Sequence, residues 1–153
     1  MTKRFSYQTS GYQAMYGLHQ YVQDCGLDHG LLELIRLRIS QINGCAYCIN
    51  MHAPLAQQNG ISIVKIHLVA AWKEANVFSE RELAALAWAE AVTALRDAEV
   101  PESVYRLAKV QFSENELSDL TLAVAEMNAW NRLMIASRTP PEIRQEESND
   151  AIY

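Results

Sequence analysis

Two thiols and an imidazole, Cys45, Cys48 and His52, fall together in the stretch NGCAYCINMH at 43–52. On a helix, Cys48 and His52 lie one turn apart on a single face. Cys45 and Cys48, three positions apart, are close enough to form a disulfide at a helix's first turn. That turn carries unpaired N–H groups and the positive end of the helix dipole, both of which favour a thiolate. An adjacent imidazole favours it further. The spacing C-x2-C-x3-H thus brings together a nucleophilic sulfur, a base and a second sulfur. These are the parts needed to attack an oxidant and then close a disulfide.

Three other readings of the same residues compete. Two buried cysteines beside a hydrogen-bonded histidine would have no chemistry at all. A structural zinc site wants four ligands, often as two C-x2-C pairs; there is no second pair, and Cys25 stands alone. A thioredoxin-like domain requires a strand before the motif, whereas the preceding segment is patterned as a helix. Glu33 lies in the apolar run LLELI, where a carboxylate is costly without a partner. Taken alone it reads as a surface charge paired with Arg36 or Arg38. A helix hairpin leading into Cys45 would instead fold it back over the dithiol.

The elements that must position these groups read as helices throughout. Ser10 is placed to cap a first helix running to about Cys25, with Gly26 as its stop. Leu31 to Asn43 is apolar nearly all round, as in a helix buried on most sides. Gly44 suits the left-handed residue after a helix. The next helix begins at or just after Cys45 and ends near Gly60; Pro54 inside it should kink it or divide it in two. Ser62 to Ala75 is amphipathic. Ser79 and Ser113 each open a capping box, starting helices that run to about Leu95 and from 114 to 137. Pro101 suits the first turn of a short helix to about Val110. Pro140 and Pro141 end the pattern, and Ile152 and Tyr153 could dock a polar tail. The expectation is an all-α fold of about six or seven helices, one domain over 1–153 without a linker, its redox core at 33–60.

The remaining candidates read as structural. His19, His29 and His67 suit surface or packing positions, and Cys25 a small core residue. Asn128, Asn131 and Arg132 suit a polar network or a subunit contact. Trp72, Trp88 and Trp130 suit core or interface anchors, any of which could wall the entrance to a dithiol pocket.

Composition narrows the class. Half of the 153 residues are hydrophobic, and 13 basic against 18 acidic residues give a charge of −5. No basic run points to nucleic acid. No stretch is apolar enough for a membrane span, and the start has no apolar leader segment. A cytoplasmic location is expected, where a close cysteine pair is more often catalytic or metal-binding than a staple.

The stretch ELIRLRISQINGCAYCINMHAPLAQQNG, 33–60, resembles the core of the AhpD-like alkylhydroperoxidases of the carboxymuconolactone decarboxylase family. The pattern E-x11-C-x2-C-x3-H is matched by Glu33, Cys45, Cys48 and His52. LVAAWKEANVFSERELAALAWAEAVT at 68–93 and NAWNRL at 128–133 also resemble segments downstream of that core in shorter members. The best-known members carry a histidine just before the second cysteine, where this chain has Tyr47.

The resemblance implies an all-α AhpD-like fold assembled as a homo-oligomer, trimer or hexamer. It implies that Cys48 attacks the peroxide, that Cys45 resolves the sulfenic acid into a disulfide, and that His52 and Glu33 relay the proton. Small organic hydroperoxides would be the substrate, with no cofactor. An external dithiol, a lipoyl carrier or a thioredoxin-like protein, would supply the electrons. The cysteine pair argues against lactone decarboxylation, which does not proceed through a dithiol. A weakly active redox-sensing or partner-binding module and a zinc-stabilised structural oligomer are the alternatives.

Overall fold

The computed structural model describes residues 2–143. The expected docking of Ile152 and Tyr153 lies outside the described residues. Within these there are α1 (Thr9–Asp24), α2 (His29–Asn43), α3 (Ala46–Gln58), α4 (Ile63–Leu68), α5 (Glu80–Ala94), α6 (Glu102–Gln111) and α7 (Glu114–Ser137), with 3-10 turns at Val69–Ala71 and Arg96–Ala98 and no strand. The all-α expectation and its helix count hold.

The boundaries follow from local chemistry. Ser79 and Ser113 form the two capping boxes read from the sequence, each hydroxyl accepting from the third helical N–H and each glutamate reaching back. At α1 the expected Ser10 cap is displaced: the helix already begins at Thr9, with Gln8 before it and no side-chain cap. At α2 the start moves back from Leu31 to His29, because the Asp28 carboxylate accepts from Leu31 N (2.8 Å) and caps the helix. The amphipathic stretch from Ser62 is not one helix to Ala75. Ile66, Val69 and Trp72 are all buried, a three-residue period that suits a 3-10 turn better than an α-helix. Pro54 leaves α3 continuous from Ala46 to Gln58. Both Pro54 and Asn50 are exposed, so water can take the carbonyl that the missing N–H leaves free.

Helix α2 is the centre of the fold, buried from Gly30 to Leu37 and again at Ile39 and Ser40. Its Leu31, Leu32, Ile35 and Ile39 join a large core with Val22 of α1, Cys48 of α3, Ala85 and Trp88 of α5, and Leu120, Val124 and Met127 of α7. Its Leu34 and Leu37 face a smaller core with Ala56, Ile61, Ile66, Val69, Trp72 and Leu86. A helix apolar on most of its circumference is what such a two-sided burial demands.

Gly30 lets the start of α2 pack closely against the 59–61 turn. A Cβ there would lie 2.7 Å from the Asn59 carbonyl oxygen and 3.2 Å from Ile61 Cδ1. Gly30→Ala gains about 1 kcal/mol of helix propensity against about 1–3 kcal/mol of overpacking. The variant is therefore expected to melt at a lower temperature in calorimetry. An unchanged or raised melting temperature would mean the 59–61 turn yields freely.

Glu116 clamps α5 to α7. It accepts from Ser113 N (2.8 Å) and from Arg81 Nη2 (2.6 Å), while Arg81 Nη1 donates to the Gln111 carbonyl. The Ser113 backbone N–H, with Arg81 beside it, pushes the carboxyl down to about 2. Its folded value lies below the ordinary 4.5, so this stabilisation is complete above that pH and is lost as pH falls through the folded value. Melting temperatures of wild type and Glu116→Gln are expected to differ at neutral pH and to converge near pH 2. Parallel curves would refute the clamp.

Candidate active site

The turn between α2 and α3 sets the dithiol. Gly44 takes φ +71°, and its N–H donates to the Gln41 carbonyl (3.3 Å) while Cys45 N donates to the Ser40 carbonyl (3.0 Å). These paired bonds close a Schellman motif. Cys45 thus ends α2 and also caps α3: its Sγ accepts from Cys48 N at 3.4 Å. The two cysteines are joined as a disulfide with a Cα–Cα distance of 5.4 Å, and both are buried. The turn is anchored to α7 by Asn43, which donates to Asn128 Oδ1 and Asn131 Oδ1 (each 2.9 Å), and by Asn131, which donates to Ser40 Oγ (3.1 Å). Asn128 and Asn131 therefore serve a structural network, as expected. Arg132 joins it by donating to the Asn128 side-chain oxygen (3.0 Å).

One turn beyond Cys48, His52 meets Glu33 across the α2–α3 interface. His52 Nδ1 donates to Glu33 Oε2 at 2.7 Å, and Arg36 Nη1 donates to Glu33 Oε1 at 2.8 Å. Glu33 does pair with Arg36, but not as a surface charge: Glu33 is 4% exposed and Arg36 1%. Arg38 instead pairs with Glu90 on α5 (2.7 Å). Arg36 continues to Glu126 of α7 (Nη2–Oε2 3.2 Å), and Glu126 Oε1 accepts from His19 Nδ1 of α1 (2.8 Å). The result is an unbroken chain, His52–Glu33–Arg36–Glu126–His19, through the core.

Burial pushes both carboxyls up. At Glu33 the hydrogen bond and charge of His52, with Arg36, outweigh it and hold the group below its ordinary value. At Glu126 the His19 hydrogen bond and the Arg36 charge do the same. Both are carboxylates at neutral pH. The His52 Nε2 is buried without a hydrogen-bond partner.

His52 and Cys48 line one pocket of about 160 Å³. Tyr12, Tyr16 and His19 of α1 form one wall, Tyr47 and Met51 of α3 another, and Glu126, Met127, Trp130 and Met134 of α7 the third. Tyr12 packs edge-on against Trp130, ring centroids 5.1 Å apart. Cys45 opens toward a separate hollow bounded by Arg4, Met134 and Arg138.

All four sequence-derived candidates, Cys45, Cys48, His52 and Glu33, are brought together. Trp130 is the tryptophan that walls the pocket; Trp72 and Trp88 are core residues whose indoles donate to Glu90 and Thr121. His29 stays at the surface, donating to the Gln23 carbonyl, and Cys25 is a free thiol packed against the core. His19 is not merely a packing residue; the sequence reading places Arg36 only as a surface partner of Glu33 and does not reach Glu126. Their signal was available: Arg36 lies between Ile35 and Leu37 in a mostly apolar helix, and Glu126 is flanked at helical spacing by Ala123, Met127 and Trp130. Among the described residues no group of three or more His, Cys, Asp or Glu is arranged to hold a metal ion, and no helix is long and apolar enough to cross a membrane.

The sequence model of the carboxymuconolactone decarboxylase family matches residues 11–91. YdfG, an uncharacterised protein of Bacillus subtilis, is 34% identical over 139 residues, which cover 89% of this chain and 95% of that protein. ATU0492 of Agrobacterium tumefaciens, described as a protein of unknown function and a candidate AhpD antioxidant defence protein, has the same structure at TM-score 0.90 and 34% identity, over 94% of this chain and all of that one. An alkylhydroperoxidase AhpD core from Ralstonia eutropha JMP134, an uncharacterised peroxidase-related protein, shares the fold at TM-score 0.77 and 23% identity, over 88% and 72% of the two chains. With its fold AhpD-like and its dithiol turn inside the matched segment, the chain belongs to the carboxymuconolactone decarboxylase family.

Proposed function

We propose that this protein is a thiol-dependent alkyl hydroperoxidase, a disulfide oxidoreductase that reduces small organic hydroperoxides through Cys45 and Cys48. One observation carries the proposal: His52, oriented by a buried carboxylate and with its Nε2 left unpartnered, lines the same pocket as Cys48. A carboxylate on Nδ1 fixes the tautomer whose Nε2 accepts a proton.

In the reduced protein, His52 takes the Cys48 proton, and the thiolate attacks the outer peroxide oxygen. The O–O bond breaks, giving a Cys48 sulfenic acid and an alcohol. The Cys45 sulfur then displaces hydroxide from Cys48 as water, closing the disulfide. An external dithiol, from a lipoyl carrier or a thioredoxin-like protein, reduces that bond and restores both thiols. No metal or organic cofactor enters the scheme. The separate hollow beside Cys45 supports exchange with the reductant from another side than the peroxide. We read the working unit as a homo-oligomer, trimer or hexamer, which the exposed apolar residues Leu107 and Val110 of α6 support.

The test is consumption of an organic hydroperoxide by the reduced protein, with loss of two titratable thiols together. Cys48→Ser is expected to abolish turnover, whereas Cys45→Ser still permits one oxidation per chain. Equal, slow consumption by wild type and Cys48→Ser would end this reading. His52→Gln is expected to slow thiol oxidation roughly 100-fold or more, the usual range for losing a general base. Stopped-flow measurement of thiol loss checks it, and a rate within a few-fold of wild type would remove His52 from the mechanism.

A further inference from the structure

We infer that His19, held by Glu126, is the acid of this site: it protonates the oxygen that leaves the peroxide, while His52 accepts the proton of the attacking thiol. This rests on the peroxidase function proposed above. His19 lines the same pocket as Cys48 and His52, from the opposite helix α1. Its Nδ1 donates to a buried carboxylate (2.8 Å), just as His52 Nδ1 does (2.7 Å), which leaves Nε2 for a bound molecule. Two imidazole–carboxylate pairs therefore face one pocket, joined at their backs by Arg36.

Charge balance separates their roles. Glu33 and Glu126 bring two negative charges and Arg36 one positive, so the buried cluster is neutral only when one imidazole is protonated. Desolvation penalises a charged ring more the deeper it is buried. The His52 side chain is 4% exposed and that of His19 27%, so the ring that can exchange a proton with the pocket most readily is His19. The acceptor role therefore falls to His52 and the donor role to His19.

During attack, the Cys48 proton passes to His52 and the sulfur bonds to the outer oxygen, which keeps its hydrogen. The O–O electron pair goes to the inner oxygen, which takes a proton from His19 and leaves as an alcohol. The cluster ends with the same number of protons, moved from its His19 end to its His52 end.

An alkoxide needs that proton to leave, whereas a carboxylate does not. Reduced protein is therefore mixed with cumene hydroperoxide or with peroxyacetic acid, and thiol loss is followed in a single turnover. His19→Gln is expected to slow the first reaction roughly 100-fold and the second by less than about threefold. Glu126→Gln is expected to raise the same ratio, and both variants are first checked for cooperative melting, so that loss of fold in one leaves the other to decide. Equal slowing with both oxidants would mark His19 as structural and overturn the inference, as would no slowing with either. A wild type that reacts with neither oxidant would overturn the peroxidase function itself; a wild type that reacts while the variants keep its ratio overturns only the role of His19.

Discussion

A guanidinium 1% exposed, Arg36, sits in the middle of this protein. Such a charge is tolerable only when carboxylates and hydrogen-bond acceptors surround it, and removing one partner strands the rest at a cost of about 3–5 kcal/mol. Arg36 meets Glu33 on its own helix, Glu126 on α7 and the Gln23 side chain on α1. Each carboxylate in turn holds an imidazole. The register of α1, α3 and α7 against α2 is thereby set by a polar chain, not by apolar packing alone. Apolar residues of similar volume would hold such helices together as well or better. The cluster is better understood from the pocket it borders than from the stability it confers.

The second organising feature is the turn at Gly44. A left-handed residue there lets one amino acid, Cys45, close α2 through its N–H and cap α3 through its sulfur. The dithiol is thus part of the helix junction itself. Its geometry is fixed by backbone hydrogen bonds and by the Asn43–Asn128–Asn131 network, which ties the junction to the helix that also supplies Trp130 and Glu126 to the pocket.

Much of this was legible in the residues. The capping boxes at Ser79 and Ser113 and the left-handed glycine at Gly44 are local signals, and local chemistry determined them. Glu33 was legible as an anomaly, a carboxylate among leucines, and its partner His52 came from spacing and family resemblance. The same anomaly stands at Arg36, legible only as a surface partner of Glu33, and at Glu126, where it stays hidden because helical periodicity counts apolar positions and passes over a charge among them. The pairing of His19 with Glu126 spans 107 positions, and no spacing rule reaches that far. The start of α2 was misplaced because Asp28 caps through its side chain, a signal outside the apolar pattern. The break after Leu68 reflects tertiary burial of Val69 and Trp72, which outweighs local helix propensity.

The distribution of the charged chain along the sequence has a consequence for how the protein is born. His19, Glu33, Arg36 and His52 all leave the ribosome early in synthesis, inside the segment matched by the family model, whereas Glu126 comes much later, beyond that segment. Until α7 emerges and docks, Arg36 has a single carboxylate for company, and the wall formed by Met127, Trp130 and Met134 is missing from the dithiol. Nascent chains therefore pass through an interval in which the sulfur pair exists without its α7 wall, and maturation of the reactive centre coincides with the arrival of that helix.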